Sequence, residues 1–174
     1  NNKKIRQAVN YAINKKQIIE KVLNNTAREA YGPIPPELLK NKIQQKYNYN
    51  IELAKQILKE ENIKEQIEID LWQSKSQKNS LITEIIQAQL KKINIKVNIK
   101  RRDWNMFTQA IRENKADMYY RSWYADYPDA ENFISPLFKS SISKKRWNRY
   151  QNDKLDEIIK LIDNEKNINK RKNL

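Results

Sequence analysis

Two carboxylates and three aromatic rings lie close together in the stretch RSWYADYPDAENF, residues 121–133. A carboxylate walled by Trp123, Tyr124 and Tyr127 suits an ammonium group, because exclusion of water strengthens the charge pair and the ring faces add cation–π attraction. Asp126 is the candidate for this carboxylate. Residue types alone leave the alternative open, in which Asp126 is an ordinary loop residue and the rings belong to the rim of the core.

Asp129 has a simpler interpretation. It follows Pro128, and this order predicts a turn in which Asp129 caps a short helix through ENFISPLF. Asp126 and Asp129 could also form the acid/base couple of a hydrolase. Nothing else in the sequence supports that couple, since carboxylates three positions apart are common at turns and no metal-ligand cluster accompanies them. We therefore expect a protein that is not an enzyme.

The composition excludes most catalytic and cofactor chemistry. The chain has no His and no Cys, which excludes zinc sites of the usual type, Cys/His nucleophiles, Ser-His-Asp triads and disulfides. Its single glycine, Gly32, cannot build a phosphate-binding loop or a dinucleotide-binding turn. We expect neither a cofactor nor a bound metal.

The net charge of +14 raises a nucleic-acid hypothesis. The segment KSSISKKRWNRY, residues 139–150, interleaves cations with Trp147 and Tyr150, a mixture that suits phosphate neutralisation and base stacking. The alternative is a solvated basic loop whose aromatic residues anchor it to the core. KRRDW, residues 100–104, allows the same two interpretations. Because the charge is spread along the chain, we expect no nucleic-acid partner and keep a small basic nucleic-acid-binding domain as the alternative function.

Hydrophobic periodicity predicts the elements that position these residues. Asn14 and Gln17 predict a capping box at the start of the second helix, and the three prolines of residues 27–38 require extended chain there. The predicted helices lie near residues 3–13, 14–23, 50–58, 81–90, 104–111 and 155–162, the last one capped by Asn152 or Asp153, and the predicted strands near 67–71, 95–99 and 117–123. The β-α-β-α-β order indicates the α/β class, with a small mixed, partly parallel sheet covered by helices.

The third predicted strand gives the stretch 121–133 a functional context. In open α/β sheets, ligands bind beyond the carboxyl ends of the strands. Residues 123–129 leave the third strand at that end. This position favours Asp126 as a binding residue over Asp126 as a turn residue.

The order of the segments resembles one known family. IRQAVNYAINKKQIIEKV, AYGPIPP, ELAKQILKE and AQLKKINIKVNIK follow one another as in the extracytoplasmic solute-binding proteins of family 5, the dipeptide-, oligopeptide- and nickel-binding receptors of ABC importers. The most specific block is filled here by Asp117, Trp123, Asp126, Tyr127, Pro128, Asp129, Asn132, Phe133, Leu137 and Phe138, and a later one by Tyr150, Asn152 and Asp156. The resemblance spans nearly the whole chain.

The resemblance implies a type II periplasmic-binding-protein-like lobe. Residues 1–174 would form a single domain, the C-terminal-side lobe of a two-lobe bacterial receptor whose first lobe and final C-terminal segment lie outside this chain. The receptor would work outside the cytoplasm, in the periplasm or on the outer face of the membrane. The partners implied are a short peptide, an ABC permease, the missing N-terminal lobe and, through a lipid anchor outside this chain, the membrane surface.

The resemblance also implies roles for individual residues. In peptide-binding relatives the position of Asp126 pairs with the α-ammonium of the peptide, and Trp123 with its neighbours Tyr124 and Ala125 would line the cleft. Some relatives carry an arginine three residues before that tryptophan, for the carboxylate of the ligand. This sequence has Tyr120 there, while Arg121 is one position later and on the other strand face. The carboxylate partner and the preferred peptide length therefore stay open. The absence of His removes the usual ligand for the nickel and haem branches.

Overall fold

The structure is a computed structural model that describes residues 2–39, 47–146 and 148–171. The chain divides into two compact units. One comprises Asn1–Glu29 and Gln45–Arg121, and the other comprises Ala30–Gln44 and Ser122–Leu174. The sequence prediction of one domain over residues 1–174 stays a prediction. Within the described ranges, no helix is both long enough and apolar enough to cross a bilayer.

The first unit contains the predicted alternation of strands and helices. Its elements are α1 (Lys3–Ala12), α2 (Lys15–Leu23), α3 (Ile51–Glu60), β1 (Ile67–Ser74), α4 (Gln77–Lys91), β2 (Ile95–Arg102), α5 (Trp104–Arg112) and β3 (Met118–Tyr120). The α/β class and the β-α-β-α-β order are thus confirmed.

The three strands form a sheet in the order β2-β1-β3. Both pairings are parallel, with Ile67 opposite Ile95 and Leu71 opposite Met118. The expectation of a mixed sheet is therefore wrong for these strands, because each connection contains a helix, α4 or α5, that returns the chain to run in the same direction. The third strand is also shorter than the predicted 117–123, since Tyr120 already pairs with Gln73 and β1 ends one residue later.

The main core of the first unit covers one face of the sheet. Helix α4 packs there against β1 and β2, and α1 packs against α3 and α4. The buried residues of this core are Ala8, Ala12, Ala54, Ile57, Leu58, Leu71, Ile82, Ile86, Leu90, Ile93, Ile95 and Val97. Each large aliphatic side chain among them contributes about 1.5–3 kcal/mol to folding. Helix α5 also packs against β1 and β2, and its fully buried Phe107 meets Tyr119 edge to face, with 6.5 Å between ring centroids.

Asparagine takes over the conformational role of glycine in this chain, which has one glycine in 174 residues. Left-handed backbone at turns and helix ends favours glycine, and asparagine tolerates it best among the other residues. The asparagines with positive φ angles are Asn24, Asn25, Asn62, Asn94 and Asn114.

Asn14 caps α2 as predicted, but the capping box is not formed. The Asn14 side chain accepts a hydrogen bond from the backbone N–H of Gln17, whereas the Asn14 backbone N–H donates to Oε1 of Gln89 at 3.0 Å. The Gln89 side chain also donates to Oε1 of Gln17 at 2.7 Å. A buried glutamine from α4 thus takes the place that Gln17 was expected to fill. Local sequence could not reveal this partner, because 75 positions separate Asn14 from Gln89.

The second unit is helical in its described part. Its elements are a short 3₁₀ helix (Pro36–Leu38), α6 (Glu131–Phe138), α7 (Ser140–Arg146), α8 (Asp153–Asn164) and α9 (Ile168–Arg171). Helix α6 confirms the helix expected through ENFISPLF. Asn152 caps α8, since its side chain accepts from the backbone N–H of Leu155 at 3.1 Å.

The expectation of a basic loop over residues 139–150 is wrong for α7. SSISKKR has one apolar residue, so its sequence shows no helical periodicity. Contacts from residues outside α7 hold the helix instead. The Asp156 carboxylate accepts from the backbone N–H of Ser140 at 2.9 Å, and the buried Ser143 hydroxyl accepts from the backbone N–H of Tyr150 at 2.9 Å.

Candidate functional site

The six residues proposed for ligand binding belong to both units. Tyr120 and Arg121 close the first unit. Trp123, Tyr124, Ala125 and Asp126 follow at the start of the second. The same stretch of chain thus leaves β3 and enters the loop before α6.

One buried side chain organises this loop. Asn132 is 5% exposed, and its Oδ1 accepts a hydrogen bond from the backbone N–H of Asp126 at 3.1 Å. Its main-chain oxygen accepts from the indole N–H of Trp123 at 2.8 Å. Asn132 therefore fixes both the ring of Trp123 and the backbone of Asp126. Sequence reasoning placed Asn132 in the family block but gave it no role.

The carboxylate of Asp126 is exposed. Among the described residues, it has no hydrogen-bond or ion-pair partner. Next to it in the chain, the Tyr124 ring is 78% exposed and Ala125 is half-buried. A backbone held in place and a carboxylate available to solvent suit the capture of a cation, because the group is positioned without being neutralised by the protein.

Asp129 is occupied by structural contacts. Its Oδ1 accepts from the backbone N–H of Glu131, the first residue of α6, at 2.9 Å. Its Oδ2 lies 3.3 Å from the Arg171 guanidinium. Asp129 thus contacts the start of α6 as expected, but it is not the N-cap that the sequence predicts: that position is Ala130, which makes no side-chain cap hydrogen bond, and Asp129 lies one residue earlier. Since both of its carboxylate oxygens are engaged, Asp129 is a poor acid/base partner for Asp126.

Tyr127 is also tied to α6. Its hydroxyl donates to the Glu131 carboxylate. This hydrogen bond is the main reason that the pKa of Tyr127 lies above its ordinary value. The ring is about half exposed, so it remains available as an apolar surface beside the loop.

Tyr120 and Arg121 have different surroundings in the first unit. Tyr120 packs against the main core, with Met118. The Arg121 guanidinium stacks on the Trp104 ring of α5, 4.9 Å from its centroid, and its burial lowers its pKa. The two side chains thus point to different sides, Tyr120 to the main core and Arg121, one residue beyond β3, to α5. Tyr120, which occupies the position of the arginine of some relatives, is thus a packing residue in this unit.

Both basic segments contain residues that make contacts within their own units. In KRRDW, Lys100 pairs with Asp70, Arg101 pairs with Glu84, and Arg102 stacks on Trp72. In the segment 139–150, Tyr150 packs edge to face on Phe138, with 5.9 Å between ring centroids. This contact favours the interpretation in which aromatic residues anchor the segment. Trp147 lies outside the described residues.

Among the described residues of the first unit are cavities of about 460 and 610 Å³. The smaller one is lined by Ile67, Asn94 and residues of α3, at the amino ends of β1 and β2. The larger one is lined by the start of α2 and residues 47–49. Neither contains any of the six proposed residues, and the smaller lies at the end of the sheet opposite to the usual ligand side.

Comparison with known proteins gives consistent matches. Residues 1–145 match the profile of the bacterial extracellular solute-binding proteins, family 5, middle region. The chain is 33% identical over 165 residues to heme-binding protein A of Haemophilus influenzae, a match that covers 91% of this chain and 30% of that protein. It is 30% identical over 148 residues to the dipeptide-binding protein of Escherichia coli, covering 82% and 28%.

Solved structures agree with these sequence matches. A dipeptide-binding protein from a Pseudoalteromonas species, in complex with Met-Leu, superimposes with a TM-score of 0.88 and 29% identity, over 98% of this chain and 35% of that one. HbpA2 of Haemophilus parasuis gives a TM-score of 0.87 at 25% identity, over 98% and 35%. The fold is that of type II periplasmic binding proteins. The chain spans about a third or less of the length of these relatives.

Proposed function

Since the chain belongs to the bacterial extracellular solute-binding proteins of family 5, we propose that it is the peptide-binding lobe of an ABC-transporter receptor. In this proposal, residues 1–174 are the C-terminal-side lobe of a two-lobe protein that captures short peptides for import. The receptor works in the periplasm or on the outer face of the membrane, held there by a lipid anchor outside this chain.

The observation that carries the proposal is the exposed carboxylate of Asp126. The backbone of Asp126 is hydrogen-bonded to the buried Asn132, and the exposed Tyr124 ring is two residues away in the chain. A peptide ammonium would form a charge-assisted hydrogen bond with Asp126 and a cation–π contact with a neighbouring ring. The dipeptide-binding relatives support the peptide as the ligand.

The mechanism is capture without chemistry on the ligand. The peptide main chain would be held by strand-like hydrogen bonds, and its side chains by wet pockets that accept many residue types. Closure of the two lobes around the ligand would be the signal that the ABC permease reads. The permease and the N-terminal lobe are therefore the protein partners of this chain.

Haem is the alternative cargo, because one relative is a heme-binding protein. Haem iron is usually held by His, Cys, Met or Tyr. This chain contains neither His nor Cys, so only its two Met and nine Tyr residues could serve within it. The exposed carboxylate of Asp126 instead favours a ligand with a positive charge.

The test is to identify what co-purifies with the complete receptor by mass spectrometry under native conditions. The proposal predicts a mixture of short peptides. Haem, visible by its strong absorbance, or a metal chelate would contradict the proposal and move the protein to another branch of the family.

A further inference from the structure

Helix α6 contains a proline in its interior. Pro136 is the sixth of the eight residues of this helix. Proline has no backbone N–H, and its ring clashes with the carbonyl group four residues earlier, so it is rarely found beyond the first turn of a helix. The residue four positions before Pro136 is Asn132. Pro136 therefore leaves the main-chain oxygen of Asn132 without its helical donor.

The missing hydrogen bond lies at a buried position. Asn132 is a buried residue, and a buried carbonyl group that loses its helical donor normally has another partner. Hydrogen bonding of α6 continues after the proline, since the backbone N–H of Lys139 donates to the carbonyl oxygen of Ser135 at 3.3 Å. The proline thus keeps the helix but opens one acceptor on it, at Asn132.

The open acceptor is used by Trp123, in the loop before α6. The indole N–H of Trp123 donates to the main-chain oxygen of Asn132 at 2.8 Å. The Trp123 side chain is half-buried, so this bond fixes a ring that is still partly accessible to solvent. The side chain of the same Asn132 accepts from the backbone N–H of Asp126 at 3.1 Å. One residue of α6 thus holds two residues of the loop, and its main-chain oxygen is available for this because of Pro136.

We infer that Pro136 is a positioning residue for the ligand site: it withholds a helix N–H and so reserves the Asn132 carbonyl group for the Trp123 indole. The inference rests on the proposed peptide function, in which Trp123 lines the cleft, and deepens it by naming the residue that sets the orientation of this ring. A ring that is already oriented loses less side-chain entropy when a ligand packs against it.

Replacement of Pro136 by alanine removes this arrangement without removing any group that contacts the loop. The new backbone N–H of Ala at this position would point at the Asn132 oxygen, as in any regular helix. A carbonyl oxygen can accept two hydrogen bonds. The helical bond and the loss of the proline ring would nevertheless draw the oxygen back toward the helix axis, because the ring no longer pushes against it. The bond from the Trp123 indole then becomes weaker.

The first experiment follows hydrogen exchange of the indole N–H groups by NMR in the complete receptor without ligand. Pro136→Ala should speed the exchange at Trp123 about 3- to 10-fold, while Trp72, whose indole N–H is buried in the first unit, should keep its wild-type rate. Pro36→Ala is the matched control, because Pro36 is the first residue of the 3₁₀ helix, where a missing N–H removes no helical hydrogen bond. It should change neither rate. An unchanged rate at Trp123 in Pro136→Ala, or an equal increase at Trp72, overturns the inference.

The second experiment measures the affinity for a dipeptide by calorimetry in a double-mutant cycle on the complete receptor. Pro136→Ala should weaken binding about 3- to 10-fold, and so should Trp123→Phe, which keeps an aromatic ring but removes the indole N–H. The double variant should bind no more weakly than Trp123→Phe alone, because both changes remove the same contact. Two losses that multiply in the double variant overturn the inference. If the wild-type receptor binds no peptide, the proposed function fails, and the exchange rate of Trp123 still decides the role of Pro136.

Discussion

The backbone N–H of Asp126 donates to Oδ1 of Asn132 at 3.1 Å, so a buried amide fixes the residue that carries the exposed carboxylate. Asn132 also accepts from the Trp123 indole through its main-chain oxygen. In the proposed function, positioning and ligand contact therefore fall to different residues, Asn132 and Asp126. Asp126 stays available because another side chain holds its backbone.

Asn132→Ala should destabilise the protein by about 1–3 kcal/mol, because it leaves the Asp126 N–H without its acceptor. Peptide affinity should fall as well, since the loop that carries Asp126 loses its constraint. The control is Asn164→Ala, which removes an exposed amide that donates to the Lys160 carbonyl in α8. Denaturant unfolding and calorimetry check both effects. An Asn132→Ala protein with wild-type stability and affinity would show that the loop does not depend on this residue.

The residues of the loop were accessible to sequence reasoning, but their roles were only partly so. The turn chemistry of Asp129 follows from the order Pro-Asp, a local signal that the hydrogen bond to Glu131 confirms. The role of Asn132 depends on a bond that spans six positions and on burial, which neither periodicity nor composition reports. The ion pair of Arg171 with Asp129 joins residues that are even further apart in the sequence, so local patterns do not predict it either.

The elements were predictable in proportion to their hydrophobic periodicity. Helix α4 and strands β1 and β2 have strong patterns, and the structure contains them close to their predicted positions. Helix α7 has no such pattern, so its sequence predicts a loop. In the structure, contacts from Asp156 and Tyr150 hold this segment as a helix. The parallel direction of the strands is not visible in the strand sequences themselves. It follows from the helices that connect one strand to the next.

Gln89→Leu should reduce the free energy of unfolding by about 1–3 kcal/mol. The substitution keeps the volume but removes the acceptor of the Asn14 N–H and the donor to Gln17. Gln56→Leu is the control, because the exposed Gln56 only bonds Glu60 one turn further along α3, and its loss should cost about 0.5 kcal/mol or less. Equal stability changes in both variants, measured by denaturant unfolding, would contradict the role assigned to Gln89.

The stability contribution of Asp156 should depend on pH. The backbone N–H of Ser140, and then its hydroxyl, lower the pKa of Asp156 below its ordinary 3.8. A carboxyl group whose pKa is lower in the folded state stabilises the fold above the unfolded pKa, and this stabilisation disappears as the pH falls through the folded pKa.

Asp156→Asn should therefore melt at a lower temperature than the wild type at neutral pH, and the difference should shrink as the pH falls below 3.8. Thermal unfolding followed by circular dichroism over this pH range measures it. A melting difference that is the same in acid and at neutral pH would mean that the charge of Asp156 contributes nothing.

The 174-residue chain by itself should bind peptide weakly or not at all. It spans about a third or less of the length of its relatives. In the proposed two-lobe receptor, the remaining contacts come from the other lobe. Calorimetry with the chain alone and with the complete receptor compares the two. A dissociation constant of about 1 μM or lower for the chain alone would show that this lobe binds peptide independently.

In the proposed function, Asp126 binds the ammonium group of a peptide. Its most direct test is a calorimetric comparison of a dipeptide with its N-acetylated copy, on the complete receptor and on its Asp126→Asn variant. The wild type should lose about 30-fold or more in affinity upon acetylation of the dipeptide, and Asp126→Asn should bind both forms equally weakly. The control Asp153→Asn, an exposed aspartate at the start of α8, should behave like the wild type. Undiminished binding of the free dipeptide by Asp126→Asn would contradict the account.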